Sequence, residues 1–126
     1  MTSQRYGDLE QFPLFRALTP REQAKLLPLC RWEEFHAEQT FLVEGEPADT
    51  FYALYSGRVA VEMKVQFGAQ AISRTATTQI LESGQYCGWS SLVPPYIYTS
   101  SCIAIEPTRA ISVNAKELRE LVAEET

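Results

Sequence analysis

Between residues 58 and 67 apolar and polar side chains alternate without exception. Val59, Val61, Met63, Val65 and Phe67 fall on one face, and Arg58, Ala60, Glu62, Lys64 and Gln66 on the other. A period of two is the repeat of an extended strand, whose successive side chains point to opposite sides, so the segment has one buried and one wet face. It is one of a series. Short β-prone runs also occupy 31–35, 40–43, 51–55, 71–77, 78–81, 101–105 and 109–113. Turn chemistry separates most of them: Glu44-Gly45-Glu46-Pro47, Ser56-Gly57, Gly68, Glu82-Ser83-Gly84 and Glu106-Pro107. About eight short strands at this spacing predict an antiparallel sandwich or jelly roll over 31–113.

The flanks read differently. Leu9, Phe12, Phe15 and Leu18 recur every three residues, a helical spacing that Pro13 prevents from extending into one long helix. Thr19, Pro20 and Glu22 then stand as N-cap, first helical residue and reciprocal capping carboxylate. Ala24, Leu26 and Leu27 form the apolar stripe, and Pro28 closes the helix. Asn114, with Glu117 three residues on, caps a last helix carrying Leu118, Leu121 and Val122. The expected organisation is one domain over 1–126: a helical segment at 8–30, the roll at 31–113 and a C-terminal helix at 114–126. No internal repeat or low-complexity tract interrupts it.

Composition narrows the function. At 126 residues, with 45% hydrophobic and 21% charged residues, the chain has enough core to fold without metal or disulfide staples. Eleven basic against 16 acidic residues leave a net charge of −5, without the basic footprint that binding a phosphate backbone requires. Direct nucleic-acid binding is therefore not expected. The single histidine, His36, excludes centres built from two or three imidazoles, and it is the only imidazole base a Cys87 nucleophile or a haem site could use. No catalytic residue, metal site or enzyme activity is expected. Cys30, Cys87 and Cys102 are odd in number and lack CxxC spacing, as reduced thiols in a cytoplasm do. The polar N-terminal stretch and the absence of any run of 18 apolar residues agree with a cytoplasmic chain that does not enter a membrane.

Helices around a small roll, with Glu44-Gly45-Glu46 followed by Phe51-Tyr52-Ala53-Leu54-Tyr55-Ser56-Gly57-Arg58-Val59, resemble the cyclic nucleotide-binding domain superfamily and most closely its CRP/FNR-type effector domains. The resemblance runs from Phe12 to Leu121 and implies the family's antiparallel β-roll (double-stranded β-helix) with a phosphate-binding cassette. In that cassette a glycine-led loop and short helix present backbone N–H groups to a cyclic phosphate, a glutamate takes the ribose hydroxyl, and an arginine pairs with the phosphate. The corresponding stretch here is 84–101. Gly88 is in place, Trp89 stands where the glutamate would be, and Tyr98 replaces the arginine, or Thr99 if the loop aligns one residue later. The ligand-binding residues the resemblance implies are Gly84, Tyr86, Cys87, Gly88, Trp89, Ser90, Ser91, Tyr98, Thr99 and Ser100.

Losing an arginine–phosphate contact costs on the order of 2 to 5 kcal/mol, which implies weak binding of cAMP and cGMP. The hydroxyls of Ser90, Ser91, Thr99, Ser100 and Ser101, beside the rings of Trp89, Tyr96 and Tyr98, suit a smaller, less charged or partly aromatic ligand. Two roles remain open: a ligand-sensing module in signal transduction or transcription regulation, and a ligand-free protein-interaction domain of the same fold. Trp89 can be a pocket wall or a core ring. No cofactor is expected other than a cyclic nucleotide or another small ligand. The expected partners are a small-molecule effector or a protein, a second copy of the chain included. The output element is expected beyond Thr126 or on another polypeptide.

Overall fold

The computed structural model describes residues 9, 11–67 and 72–124. The helical layer follows its punctuation. Phe12 is extended, Pro13 opens the single turn of α1 (Pro13–Arg16), and α2 (Pro20–Leu26) starts in a complete capping box. In that box the Glu22 N–H donates to Thr19 Oγ1 at 3.2 Å and the Thr19 N–H to Glu22 Oε1 at 2.8 Å. Pro28 stands within a 3₁₀ turn, Leu27–Leu29, that leads into the first strand. At the other end the Glu117 N–H donates to Asn114 Oδ1 at 2.9 Å, which caps α3 (Ala115–Glu124).

Among the described residues eight strands lie between: β1 (Cys30–Phe35), β2 (Thr40–Leu42), β3 (Thr50–Ser56), β4 (Arg58–Phe67), β5 (Ile72–Glu82), β6 (Tyr86–Cys87), β7 (Ser101–Ala104) and β8 (Thr108–Asn114). They pair antiparallel in two four-stranded sheets, ordered β1-β8-β3-β6 and β2-β7-β4-β5. Leu42, Leu54, Val59, Leu81, Cys87, Tyr98, Cys102, Ala104 and Ala110 fill the space between the sheets. Leu9, Phe12 and Phe15 pack with Cys30, Ile111 and Val113 on the outer face of the first sheet. Covered on both faces, β8 is buried at four consecutive positions, Ala110 to Val113, where a half-exposed strand would alternate.

The alternation of β4 in the sequence is not matched by its burial. Val59 reaches the core, but Val61 is half-buried and Met63 exposed, beyond a register shift between Val61 and Glu62. Ala60, expected on the wet face, is buried because its cross-strand neighbours are Ile80 and Ile103, whose longer side chains flank a methyl group. The runs expected separately at 71–77 and 78–81 form the single strand β5. No turn residue separates Thr77 from Thr78. Thr78 is the extra residue of a bulge, and its hydroxyl donates to the Val61 carbonyl at 3.2 Å. The turn expected at Gly68 lies outside the described residues. The two-residue strand β6 was not anticipated from the sequence, because so short a strand has no periodicity to read.

Gly57, between β3 and β4, takes φ +97°, and a Cβ there would lie 2.7 Å from both the Pro107 carbonyl oxygen and Thr108 Cα. At Gly84, φ is +91° but the space is open. Gly84→Ala should therefore cost only the backbone strain, roughly 1 to 2 kcal/mol, and Gly57→Ala at least about 1 kcal/mol more, read from urea denaturation midpoints. Equal losses would show that the turn does not press against the start of β8.

Candidate functional site

Segment 84–101 is tied to the roll at both ends. The Gly84 N–H donates to Leu54 O and the Leu54 N–H to Gln85 O, each at 2.8 Å, which aligns β6 beside β3. Gly88 then turns the chain at φ +87°, with its backbone so near β3 that a Cβ would sit 2.8 Å from the Thr50 carbonyl oxygen. A 3₁₀ turn, Trp89–Leu92, and a cis Pro94–Pro95 bond follow. The return leg is laced to 45–48: the Ala48 N–H donates to Tyr96 O at 2.8 Å, Tyr98 N–H to Glu46 O at 3.0 Å, and Gly45 N–H to Tyr98 O at 2.9 Å.

Between the segment and the sheets lies a cavity of ≈ 200 Å³. Tyr86, Cys87, Gly88, Trp89, Ser90, Tyr98, Thr99 and Ser100 line it, with Leu42, Val61, Gln79, Leu81 and Cys102. At ~30 Å³ per water it has room for roughly six or seven waters, below the ~300 Å³ at which pockets for drug-sized ligands begin. Gly84 and Ser91 do not line it. Gly84 belongs to the turn before β6, while Ser91 is fully buried, its hydroxyl donating to the Gly88 carbonyl. Ser101, counted among the free hydroxyls, instead accepts the Glu44 N–H at 2.9 Å. Ser90 and Thr99 face each other at 3.4 Å between their hydroxyl oxygens.

Tyr98 points into the core, not outward as a phosphate ligand would. Its hydroxyl donates to Thr50 O at 2.7 Å and accepts the Thr50 N–H at 3.1 Å. Burial raises its pKa, and the nearby Asp49 carboxylate adds to the rise, against the lowering effect of the Thr50 hydrogen bond. Trp89 is 52% exposed and is both wall and packing ring. Its indole meets Phe51 edge-on at 4.9 Å and Tyr86 at 5.6 Å. Of the two rings that follow Pro94-Pro95, Tyr98 is buried and Tyr96 half-buried, beside an exposed Ile97.

Sequence reasoning missed Gln79, Cys102 and Arg119. Gln79 lies in a strand without clean alternation, Cys102 was read only as a reduced thiol, and Arg119 is remote in sequence from the cassette. Arg119 reaches back from α3: a guanidinium N–H donates to Ser91 O at 2.6 Å and the group stacks 4.1 Å from the Tyr96 ring centre. The cation thus holds the outer side of the segment. The cavity lining contains no lysine or arginine. Among the described residues no cluster of three His, Cys, Asp or Glu side chains could hold a metal ion, and no helix is long and apolar enough to cross a membrane.

The model of the family described as "Cyclic nucleotide-binding domain" matches residues 32–125. A CRP-like cAMP-activated global transcriptional regulator of Mycobacterium tuberculosis is 27% identical over 111 residues, 88% of this chain and 47% of the regulator. The chain thus spans about half the length of that curated relative. Among solved structures, a Geobacter metallireducens protein assigned to the cyclic nucleotide-binding class superposes with a TM-score of 0.80 at 26% identity, over 98% of this chain and 84% of that one. The regulatory domain of Toxoplasma gondii PKA, solved with cAMP, gives a TM-score of 0.82 at 18% identity, over 94% of this chain and 44% of that one.

Alkali should unfold the roll. Burial pushes the Cys30 thiol from 9.0 to about 11, the hydrogen bond to Cys102 together with burial raises Cys87 well above 9.0, and Tyr98 is raised from 10.0. A folded-state pKa above the unfolded one gives stability that is fully present below the unfolded value and lost as pH rises through the folded value. The melting temperature should hold to about pH 9 and then fall. Cys30→Ala should remove on the order of 2 to 3 kcal/mol of the loss between pH 9 and 11, measured by thermal denaturation across pH.

Proposed function

Since the chain belongs to the cyclic nucleotide-binding domain family, we propose that it is a regulatory ligand-sensing module whose cavity takes a small uncharged ligand in preference to a cyclic nucleotide. The observation that carries this is electrostatic. The cavity lining has no cation, and Tyr98, at or beside the position of the family's arginine, has its hydroxyl engaged on both sides by Thr50. A phosphate there would have to give up its hydration for neutral donors, next to a region the Asp49 carboxylate makes more negative. Without a charge-assisted pair, about 2 to 5 kcal/mol of binding is missing.

The groups that remain favour a hydroxylated or aromatic molecule. Gln79, Ser90, Thr99 and Ser100 offer neutral donors and acceptors, and Tyr86 and Trp89 offer ring faces and edges. Transmission to a partner is supported by Arg119, which joins the carbonyl of Ser91, behind the cavity-lining Trp89 and Ser90 in the same 3₁₀ turn, to α3. The ligand-free interaction role is favoured by one observation, an apolar groove between the helices and Trp89 lined by Leu14, Leu18, Leu26, Leu118 and Leu121.

Thermal-shift titration with cyclic nucleotides, nucleosides and small polyols separates these roles. An uncharged ligand at 100 times its Kd adds about 2.7 kcal/mol of stability, and neither cAMP nor cGMP at millimolar concentration should shift the melting temperature. Strong stabilisation by cAMP would overturn the proposal, and no response to any compound would favour the ligand-free role.

A second prediction concerns alignment. Because Tyr98 is core and Thr99 faces the mouth beside Ser90, Trp89→Glu combined with Thr99→Arg should raise cAMP affinity at least ~10-fold over the parent in calorimetry, the ~1.4 kcal/mol of a modest charge-assisted contact. Trp89→Glu with Tyr98→Arg should instead destabilise the roll by burying an unpaired guanidinium.

A further inference from the structure

The ligand reading uses the mouth of the cavity and leaves its floor unexplained. Two thiols line it. Cys87 belongs to β6 in the first sheet and Cys102 to β7 in the second; both line the cavity, and they are 3% and 2% exposed. Both belong to the core packed between the sheets, and the neighbouring Cys102, together with burial, raises the Cys87 thiol well above its ordinary value. The backbone pairs β6 with β3, and β7 with β2 and β4, so at this point side chains alone join the sheets. Cys30 is free as well, but lies in the separate core beneath the N-terminal helices.

We propose that Cys87 and Cys102 form a covalent modification site, a dithiol that closes into a disulfide between the two sheets when hydrogen peroxide enters the cavity. The chemistry balances in two steps. One thiol attacks the peroxide, the O–O bond breaks, and a sulfenic acid and water form. The second sulfur then displaces the sulfenic oxygen, which leaves as a second water, and the S–S bond forms. The two sulfurs supply the two electrons that the peroxide takes up. A second thiol lining the same cavity resolves the sulfenic acid faster than a second peroxide can carry it to sulfinic acid. Because burial disfavours the reactive thiolate, the reaction is slow at pH 7 and accelerates with alkali.

The location gives the bond a consequence. Gly88 and Trp89 follow Cys87 directly, and Ser100 stands two residues before Cys102, so the disulfide fixes two walls of the cavity against each other. Oxidation does not depend on which ligand is bound, so this inference and the proposed ligand preference fail separately.

The test uses the full chain, reduced and then held with hydrogen peroxide at pH 8. Free thiols are blocked under denaturing conditions, and the products are read by intact mass and peptide mapping. Free thiols should fall from three to one, with an intramolecular Cys87–Cys102 peptide and Cys30 still alkylated. Dithiothreitol should reverse the change, and the oxidised protein should melt at a higher temperature than the reduced one. Cys30→Ala should behave as the parent, while Cys102→Ser should yield no linked peptide. Three alkylatable thiols after prolonged oxidation, a link involving Cys30, a link between two chains, or sulfinic acid on either cavity cysteine would each overturn the proposal.

Discussion

One hydroxyl sets the shape of this molecule's cavity. Tyr98 accepts from and donates to the backbone of the same residue, Thr50, and so binds the return leg of segment 84–101 to the first residue of β3. The three backbone hydrogen bonds between 45–48 and 96–98 hold the leg in place, and the Pro47–Ile97 bridge extends the pairing. With its backbone fixed on one side and its phenol on the other, Tyr98 has no freedom to swing out. Its ring occupies volume between the sheets that a ligand would otherwise take. The cavity's small size and the lack of an anion donor at this position therefore have one cause.

The same first sheet carries a second core on its other face, and Tyr86 connects the two sides. Its ring lines the cavity while its hydroxyl accepts the Leu14 N–H of α1 at 2.9 Å. Phe12, Phe51 and Trp89 pack around it at 5.6 to 5.8 Å between ring centres. A change in cavity occupancy that rotates Tyr86 must either stretch the bond to α1 or carry the helix with it. Arg119 makes the equivalent connection to α3 through Ser91. Tyr86 thus joins the cavity to α1, and Arg119 joins the segment beside the cavity to α3, each through a hydrogen bond.

How far the sequence revealed this follows from the range of each interaction. The capping box at Thr19 and the cap at Asn114 act over three residues, and both are where local chemistry placed them. The strands were legible wherever one face is wet. In β8 both faces are covered, so its burial reports the tertiary arrangement and not its own pattern. Thr78 illustrates the opposite failure: a bulge changes the face that each later residue presents, and nothing in the composition of 71–81 announces it. Within the site, the order of glycines and aromatics brought eight cassette positions into view, but the partners across the roll, Gln79, Leu81 and Cys102, come together only through long-range pairing. Tyr98 and Thr99 could not be told apart by alignment alone; the side on which a residue leaves the chain decides between them.

Charge raises a last question, because Arg119 stands close enough to the cassette to suggest a substitute for the missing arginine. The geometry opposes it. To reach the cavity the guanidinium would have to leave the Ser91 carbonyl, depriving a fully buried residue of its partner at a cost of about 1 to 3 kcal/mol. It would also surrender the Tyr96 ring, a contact worth roughly 0.5 to 2 kcal/mol. Together these losses rival the 2 to 5 kcal/mol that a new phosphate pair could return. The arginine therefore gains little by exchanging partners, and it stays as the fastener between the outer side of segment 84–101 and the last helix. The uncharged ligand proposed above would leave that fastener in place, because it asks for no cation from the protein.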